Sequence, residues 1–193
     1  MINANPNDRT LVVNLLVQSF DDNQSVNYIV KQDDKRIQRI RVLMDYSFEI
    51  CSLFGAIYLS NDKKACALIV FPDQKRTTLK SILLDLKLIL FCVGLSGIKK
   101  ALSRESLIKK IQPKEKMYYI WFIGTDKSNQ HSGIGSKLLQ EIIEDAGSKK
   151  LPIYLETSTL KNLPWYERFG FEIYHKLKLS YTLYFLKRDQ YTL

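Results

Sequence analysis

The part of the sequence richest in chemistry runs from residue 123 to 137: Ile-Gly-Thr-Asp-Lys-Ser-Asn-Gln-His-Ser-Gly-Ile-Gly-Ser-Lys. An aromatic and β-branched run, 118–125, enters a turn containing Gly133 and Gly135, and the turn opens directly into an amphipathic helical pattern. The first turn of a helix leaves N–H groups without intrahelical partners, and the macrodipole adds about half a positive charge there. With no Cβ at 133 and 135, a phosphate can approach that backbone closely, which makes the segment an anion cradle. A P-loop needs G-x-x-x-x-G-K-[ST], a spacing that is absent. A dinucleotide fingerprint needs a third glycine where Leu138 stands. What remains is Gln130-x-x-Gly133-x-Gly135, read either as a phosphate cradle or as a plain helix-capping turn.

The elements that position this turn follow from periodicity. Residues 10–20 have helical spacing at Leu11, Leu15, Leu16 and Phe20, and Asp21-Asp22-Asn23 reads as a stop. Residues 33–53 form a second helix with Ile37, Ile40, Leu43, Met44 and Phe48 on one stripe. Two short strands, 54–59 and 65–71, make a hairpin around a polar turn. Residues 77–111 are helical and broken near Gly94-Leu95-Ser96-Gly97. After the strand 118–125 come a helix over 134–146 capped by Gly147, a strand 152–157, a short helix 164–169 and two strands, 171–178 and 181–187. The pattern predicts a mixed α/β domain over 1–193, with no linker long enough to divide it.

Composition sets the outer bounds. The chain has 193 residues, 46% hydrophobic and 25% charged, which suits one folded domain. Its 29 Lys and Arg against 20 Asp and Glu give a formal charge of +9 and call for an acidic partner. Three scattered cysteines and two distant histidines offer neither a disulfide framework nor a zinc site, so no metal is expected. The N-terminus lacks a signal-peptide pattern, and the apolar stretch 82–98 is interrupted by Asp85 and Lys87. The expectation is a cytoplasmic protein with reduced cysteines and no membrane span.

The segment 123–137 resembles the acetyl-CoA loop, [QR]-x-x-G-x-[GA], of the GCN5-related N-acetyltransferase (GNAT) superfamily. Two further segments stand in the family's order: Ile153-Tyr154-Leu155-Glu156-Thr157-Ser158, and Asn162-Leu163-Pro164-Trp165-Tyr166-Glu167-Arg168-Phe169-Gly170-Phe171. The latter is similar to N-x-x-x-[FY]-[YF]-x-x-x-G-F, with one residue fewer between Asn and Tyr than in some members. The resemblance is specific over 117–187 and only architectural over 1–116. It implies a central, mostly antiparallel twisted sheet flanked by helices and split between its two central strands. Residues 117–193 would be the acetyl-CoA-binding core, and 1–116 the N-terminal helices, hairpin and substrate-side helices.

The resemblance further implies transfer of an acetyl group from acetyl-CoA, a cosubstrate, to a primary amine within a ternary complex. Backbone groups of Gln130, His131, Ser132, Gly133, Gly135 and Ser136 would hold the pyrophosphate. Ile123, Gly124 and Thr125 would present a strand edge to the pantetheine arm, with Asn162 touching the arm or its water. Tyr166 matches the family tyrosine that can protonate the departing thiolate; a phenol titrates near ~10 and carries its proton at neutral pH. Packing in an aromatic core between Trp165 and Phe169 is the other reading of Tyr166. The strand 118–125 has no carboxylate where many members place a base, so Glu156 on the next strand is the candidate to accept the amine's proton, anchor the substrate's ammonium or accept a structural hydrogen bond, the other reading being a merely solvated side chain.

The acceptor is expected between the turn 20–27, the helices of 77–111 and Trp121. Family members often dimerise, and the sequence leaves the oligomeric state, a homodimer included, open. The rival reading is a non-catalytic or regulatory module binding nucleic acid or a membrane surface through the basic run 99–116, which has seven Lys or Arg and two Glu. Nucleic acid is disfavoured because no aromatic series interrupts those basic residues. Residues 82–111 are amphipathic enough in principle to meet a membrane surface.

Overall fold

The computed structural model describes residues 1–129 and 132–189. In chain order the main elements are β1 (Ile2–Asn3), α1 (Arg9–Phe20), α2 (Gln24–Ile29), α3 (Arg36–Phe54), β2 (Gly55–Leu59), β3 (Ala65–Val70), α4 (Leu79–Leu88) and α5 (Ile98–Ile111). They continue with β4 (Tyr118–Thr125), α6 (Ile134–Ser148), β5 (Ile153–Thr157), α7 (Leu163–Arg168), β6 (Glu172–Lys178) and β7 (Thr182–Arg188). The strands form a seven-stranded sheet in the order β1-β2-β3-β4-β5-β7-β6. Among the described residues only the β4–β5 pair is parallel, in keeping with a mostly antiparallel sheet split between its central strands.

Helices cover both faces. On one, α1 and α3 bury Val12, Leu16, Ile40 and Met44 against Leu59, Cys66, Leu68 and Phe122. On the other, the α6 stripe Leu138, Leu139, Ile142 and Ala146 packs on Ala67, Ile69, Tyr118, Ile120 and Leu155. Strand β3 is accordingly buried along its whole length, alternate residues serving opposite faces. The three cysteines are buried and unpaired, and burial pushes the Cys66 and Cys92 thiols up to about 12.

Several details differ from the sequence reading. Residues 24–29 form a helix rather than part of a turn, because the Asn23 side chain accepts a hydrogen bond from the Val26 N–H and caps it. Helix α6 runs through Gly147 to Ser148, and Lys150, with φ 54°, takes the left-handed position expected of that glycine. Ile37, predicted on the buried stripe of α3, is 46% exposed. The first turn of α3 overhangs the core and is held by ion pairs instead, Arg36 to Asp21 at 2.7 Å and Arg39 to Asp33 at 2.6 Å. Residues 89–93 form a π-helical turn between α4 and α5, and Gly94, with φ 73°, makes the predicted break.

Candidate active site

The site starts from a β-bulge. Phe122 pairs with Leu68 and Ile120 with Ile69, which leaves Trp121 as an extra residue on β4. The bulge reverses the strand's facing. Tyr118 and Ile120 pack toward α6, whereas Trp121 and Phe122, though consecutive, both pack toward α1 and α3.

The bulge also decides which backbone groups face the open edge. Asp126 N–H donates to the Lys64 carbonyl at 2.8 Å. Counting back by the antiparallel alternation, Gly124 and Phe122 direct their polar groups to β3, and Ile123 and Thr125 direct theirs away from it. On that far side β5 has diverged. β4 and β5 are paired only from Tyr118–Ile153 to Ile120–Leu155, after which β5 continues against β7. Of the groups freed in this way, the Thr125 carbonyl accepts a hydrogen bond from Ser19 Oγ at 2.8 Å.

The split widens into a cleft of about 780 Å³. Its walls include Ser19 and Phe20 of α1, Ile123, Gly124 and Thr125 of β4, Gly133, Gly135 and Ser136 at the start of α6, and Asn162, Trp165 and Tyr166 at α7. Gly133 holds φ +84°, which puts the chain in the left-handed region before α6. A Cβ on Gly135 would lie 3.0 Å from Thr125 Cγ2, so glycine lets α6 start hard against β4. A Cβ on Gly124 would lie 2.8 Å from Ser19 Oγ, so this glycine admits α1. The N-termini of α2 and α4 are closed by the side chains of Asn23 and Thr78, but among the described residues no side chain caps α6, nor α1, α3, α5 or α7. The start of α6 is the one of these that lies against the cleft with Gly133, Gly135 and Ser136 in its wall, so its first-turn N–H groups have no cap there among the described residues. Trp165 Nε1 donates to Ser136 Oγ at 2.9 Å and ties α7 to this helix start.

Tyr166 is only 5% exposed yet lines the cleft, with its ring among Trp165 and Phe171. Burial pushes its phenol well above the ordinary value, so it keeps its proton. Three cations, Lys127, Lys161 and Arg168, line the same cleft, opposed by the single carboxylate of Asp22.

Glu156 is not among the residues lining this cleft. It is half-buried on the α1 and α5 side of the sheet, where Oε1 accepts from Gln112 Nε2 at 2.9 Å and Oε2 accepts from the Tyr119 hydroxyl. Burial raises its pKa, and the hydrogen bonds from Tyr119 and Gln112 pull it back in part. Nearby, Arg104 of α5 donates to the Tyr181 hydroxyl at 2.9 Å and to Ser25 of α2. Ser158, two residues after Glu156, donates to Asn23 Oδ1 at 3.4 Å and accepts from the Ser25 N–H at 3.3 Å. Thus α2 and α5 meet each other beside Ser158 and Tyr181, while Phe20, Asp22 and Asn23 of the 20–27 segment line the same cleft as the glycine turn. By contrast, α4 packs on α3, and Trp121 packs against Tyr46 and Phe122.

The structure brings eight of the predicted site residues into one cleft: Ile123, Gly124, Thr125, Gly133, Gly135, Ser136, Asn162 and Tyr166. Ser132 is exposed beside it, its hydroxyl donating to the Asn129 carbonyl at 2.6 Å. Gln130 and His131 lie outside the described residues. Sequence reasoning missed Tyr119, Gln112, Lys161, Arg168 and Ser19. Ser19, Gln112 and Lys161 come from outside the quoted segments, and Tyr119 and Arg168 lie within the 118–125 strand and the Asn162–Phe171 segment without a spacing that singles them out.

Comparison with known proteins agrees with this geometry. Residues 96–173 match the family model of the acetyltransferase (GNAT) domain. An uncharacterized N-acetyltransferase of Schizosaccharomyces pombe is 36% identical over 63 residues, which cover 33% of this chain and 26% of that protein. The chain thus spans about a quarter of the length of that curated relative. Among solved structures, a histone acetyltransferase HPA2 and related acetyltransferase from Corynebacterium glutamicum superposes with a TM-score of 0.70 at 19% identity, covering 97% of this chain and 94% of that one. The arylalkylamine N-acetyltransferase 2 of Aedes aegypti gives 0.63 at 15% identity, covering 98% and 97%. The C-terminal condensation domain of Ebony, solved with beta-alanyl-dopamine, gives 0.69 at 10% identity, covering 97% of each chain. These likenesses carry the fold.

Proposed function

We propose, from the match of residues 96–173 to the acetyltransferase (GNAT) domain and from the fold, that the chain is a GNAT-type, acetyl-CoA-dependent N-acetyltransferase acting on a primary amine by direct transfer in a ternary complex. The observation that carries this reading is the run of open β4 edge into the uncapped start of α6, within one cleft. An extended amide chain fits the edge, and a pyrophosphate fits the helix start. On this reading residues 1–193 act as one domain, 117–193 holding the cofactor and 1–116 shaping the acceptor side. The three unpaired cysteines fit a cytoplasmic setting.

Acetyl-CoA, when bound, supplies the activated acyl group. The chain's own groups do the rest. The N–H and carbonyl of Ile123 and the N–H of Thr125 pair with the pantetheine amides as an added strand would, and Asn162 stands beside that arm. Backbone N–H groups at Gly135 and Ser136, with the loop 130–133, bind the pyrophosphate, while Lys127, Lys161 and Arg168 add positive charge to the same cleft. Tyr166 donates its phenolic proton to the thiolate sulfur as the thioester C–S bond breaks. The amine nitrogen forms the new bond to the acetyl carbon, and its surplus proton passes to Glu156, directly or through water. Burial makes Glu156 a stronger base than a solvated carboxylate, and the Tyr119 and Gln112 hydrogen bonds fix its orientation. Holding both reactants in the split supplies a further large part of the rate.

A thiol assay for CoA release across a panel of small amines, amino acids and peptides tests the reading. Amine-dependent release from acetyl-CoA is expected for at least one class. Acetyl-CoA bound without release to any amine would contradict the transferase reading.

A further inference from the structure

β3 and β4 are antiparallel neighbours, a pair that a loop of two to five residues can join. Residues 71–117 stand between them instead, so this insertion serves something other than chain connection. Helix α4 within it presents an apolar stripe to solvent. Ser81 is buried and Leu88 packs against the core, while charged side chains on the exposed flanks reach across to α3. Lys80 pairs with Glu49 at 2.7 Å, Lys87 pairs with Asp45 at 3.2 Å, and Asp85 accepts from the Tyr46 hydroxyl at 2.7 Å. Its apolar side faces out. Leu79, Leu83, Leu86 and Leu90, spaced along one helical face, are all half-exposed or more, and Phe91 and Leu95 extend the patch into the following turn.

We propose that this patch docks the protein on an anionic membrane surface, alongside and independently of acetyl transfer. Charge complementarity selects the occupant. Residues 72–116 hold eleven Lys and Arg against four Asp and Glu; Lys80 and Lys87 are paired with Glu49 and Asp45, and the nine others, with Lys75, Arg76, Lys99 and Lys100 flanking the stripe in sequence, leave the segment positive. An interfacial helix of this kind sinks its apolar face roughly 5–10 Å into the headgroup boundary, and its flanking lysines meet lipid phosphates. A second copy would bring like charge against like charge, and a nucleic acid backbone makes no use of exposed leucines. The segment lies on the surface rather than crossing. No single helix among the described residues is long and apolar enough to span a membrane. Leu79–Val93 and Leu95–Ile111 meet that test only as a pair, and they turn through 101° at their break.

Vesicle co-sedimentation of the full chain tests this, using phosphatidylcholine vesicles with and without phosphatidylglycerol. The expected result is binding to the phosphatidylglycerol vesicles, weakened by salt and weaker still on phosphatidylcholine alone. The variant Leu83→Glu/Leu86→Glu should bind at least about tenfold more weakly while melting like the parent, both positions being exposed. Leu83→Gln/Leu86→Gln serves the same purpose if added charge perturbs α4. Failure to bind anionic vesicles, or equal binding by both variants, would overturn the proposal. So would a parent dimer that these variants convert to monomer, because the stripe would then be covered by a second copy.

Discussion

The two sides of the β4–β5 split are built from different materials. On the proposed cofactor side the groups on offer are mostly backbone: the β4 edge at Ile123 and Thr125, and the N–H groups at the start of α6. On the proposed acceptor side they are side chains, with Glu156 held by Tyr119 and Gln112 from two other elements. Backbone groups are aimed by strand pairing, a bulge and two glycines, all local devices. Convergent side chains depend on distant segments arriving together. Substitutions should therefore behave differently on the two sides, those beyond the split changing turnover and those at the helix start changing cofactor affinity.

The largest expected effect is on the acceptor side. Glu156→Gln keeps shape and removes the base, and kcat should fall by about 10²–10⁴-fold with acetyl-CoA affinity unchanged. The pH profile sharpens the assignment. A base works only when deprotonated, and burial raises the Glu156 pKa, so kcat/KM should fall on acidification at a higher pH than an ordinary carboxylate would give. Tyr119→Phe removes a hydrogen bond that holds this pKa down, and should move the acid limb to still higher pH. Glu156→Gln should erase the limb, and a limb that persists would assign it to another group.

Next in size is Tyr166→Phe, expected to lower kcat by about 10²-fold while the acetyl-CoA Kd, measured by calorimetry, stays constant. Unchanged turnover would leave Tyr166 as one more ring packed between Trp165 and Phe171. The smallest effect belongs to Lys161→Ala. Its charge is exposed, so acetyl-CoA affinity should weaken only about two- to fivefold, and the difference should shrink at high salt.

The same contrast explains what could be read from the sequence. The Gly133 and Gly135 spacing, the aromatic strand before it and the Asn162–Phe171 segment are contiguous, and the strands, hairpin and main helices emerge at the expected places. The bulge at Trp121 left no signal, because it is a property of the β3–β4 register and not of either strand alone. Helix α2 was hidden because its stability comes from the Asn23 cap and from contacts to Ser158, not from an apolar stripe. Helices α4 and α6 are both amphipathic in sequence, yet α6 buries its stripe and α4 exposes it. Asp45, Tyr46 and Glu49 of α3 tether Lys87, Asp85 and Lys80 on the flanks of α4 and leave the leucine stripe outward, which periodicity within α4 cannot report.

Calorimetric titration of acetyl-CoA into the parent protein and Gly135→Asp tests the central claim most directly. The account predicts one acetyl-CoA per chain for the parent. For the variant it predicts at least about 100-fold weaker binding, because the new side chain meets Thr125 and places a carboxylate at the phosphate end of the cleft. A folded variant, its melting confirmed, that binds acetyl-CoA as tightly as the parent would place the cofactor elsewhere and contradict the account.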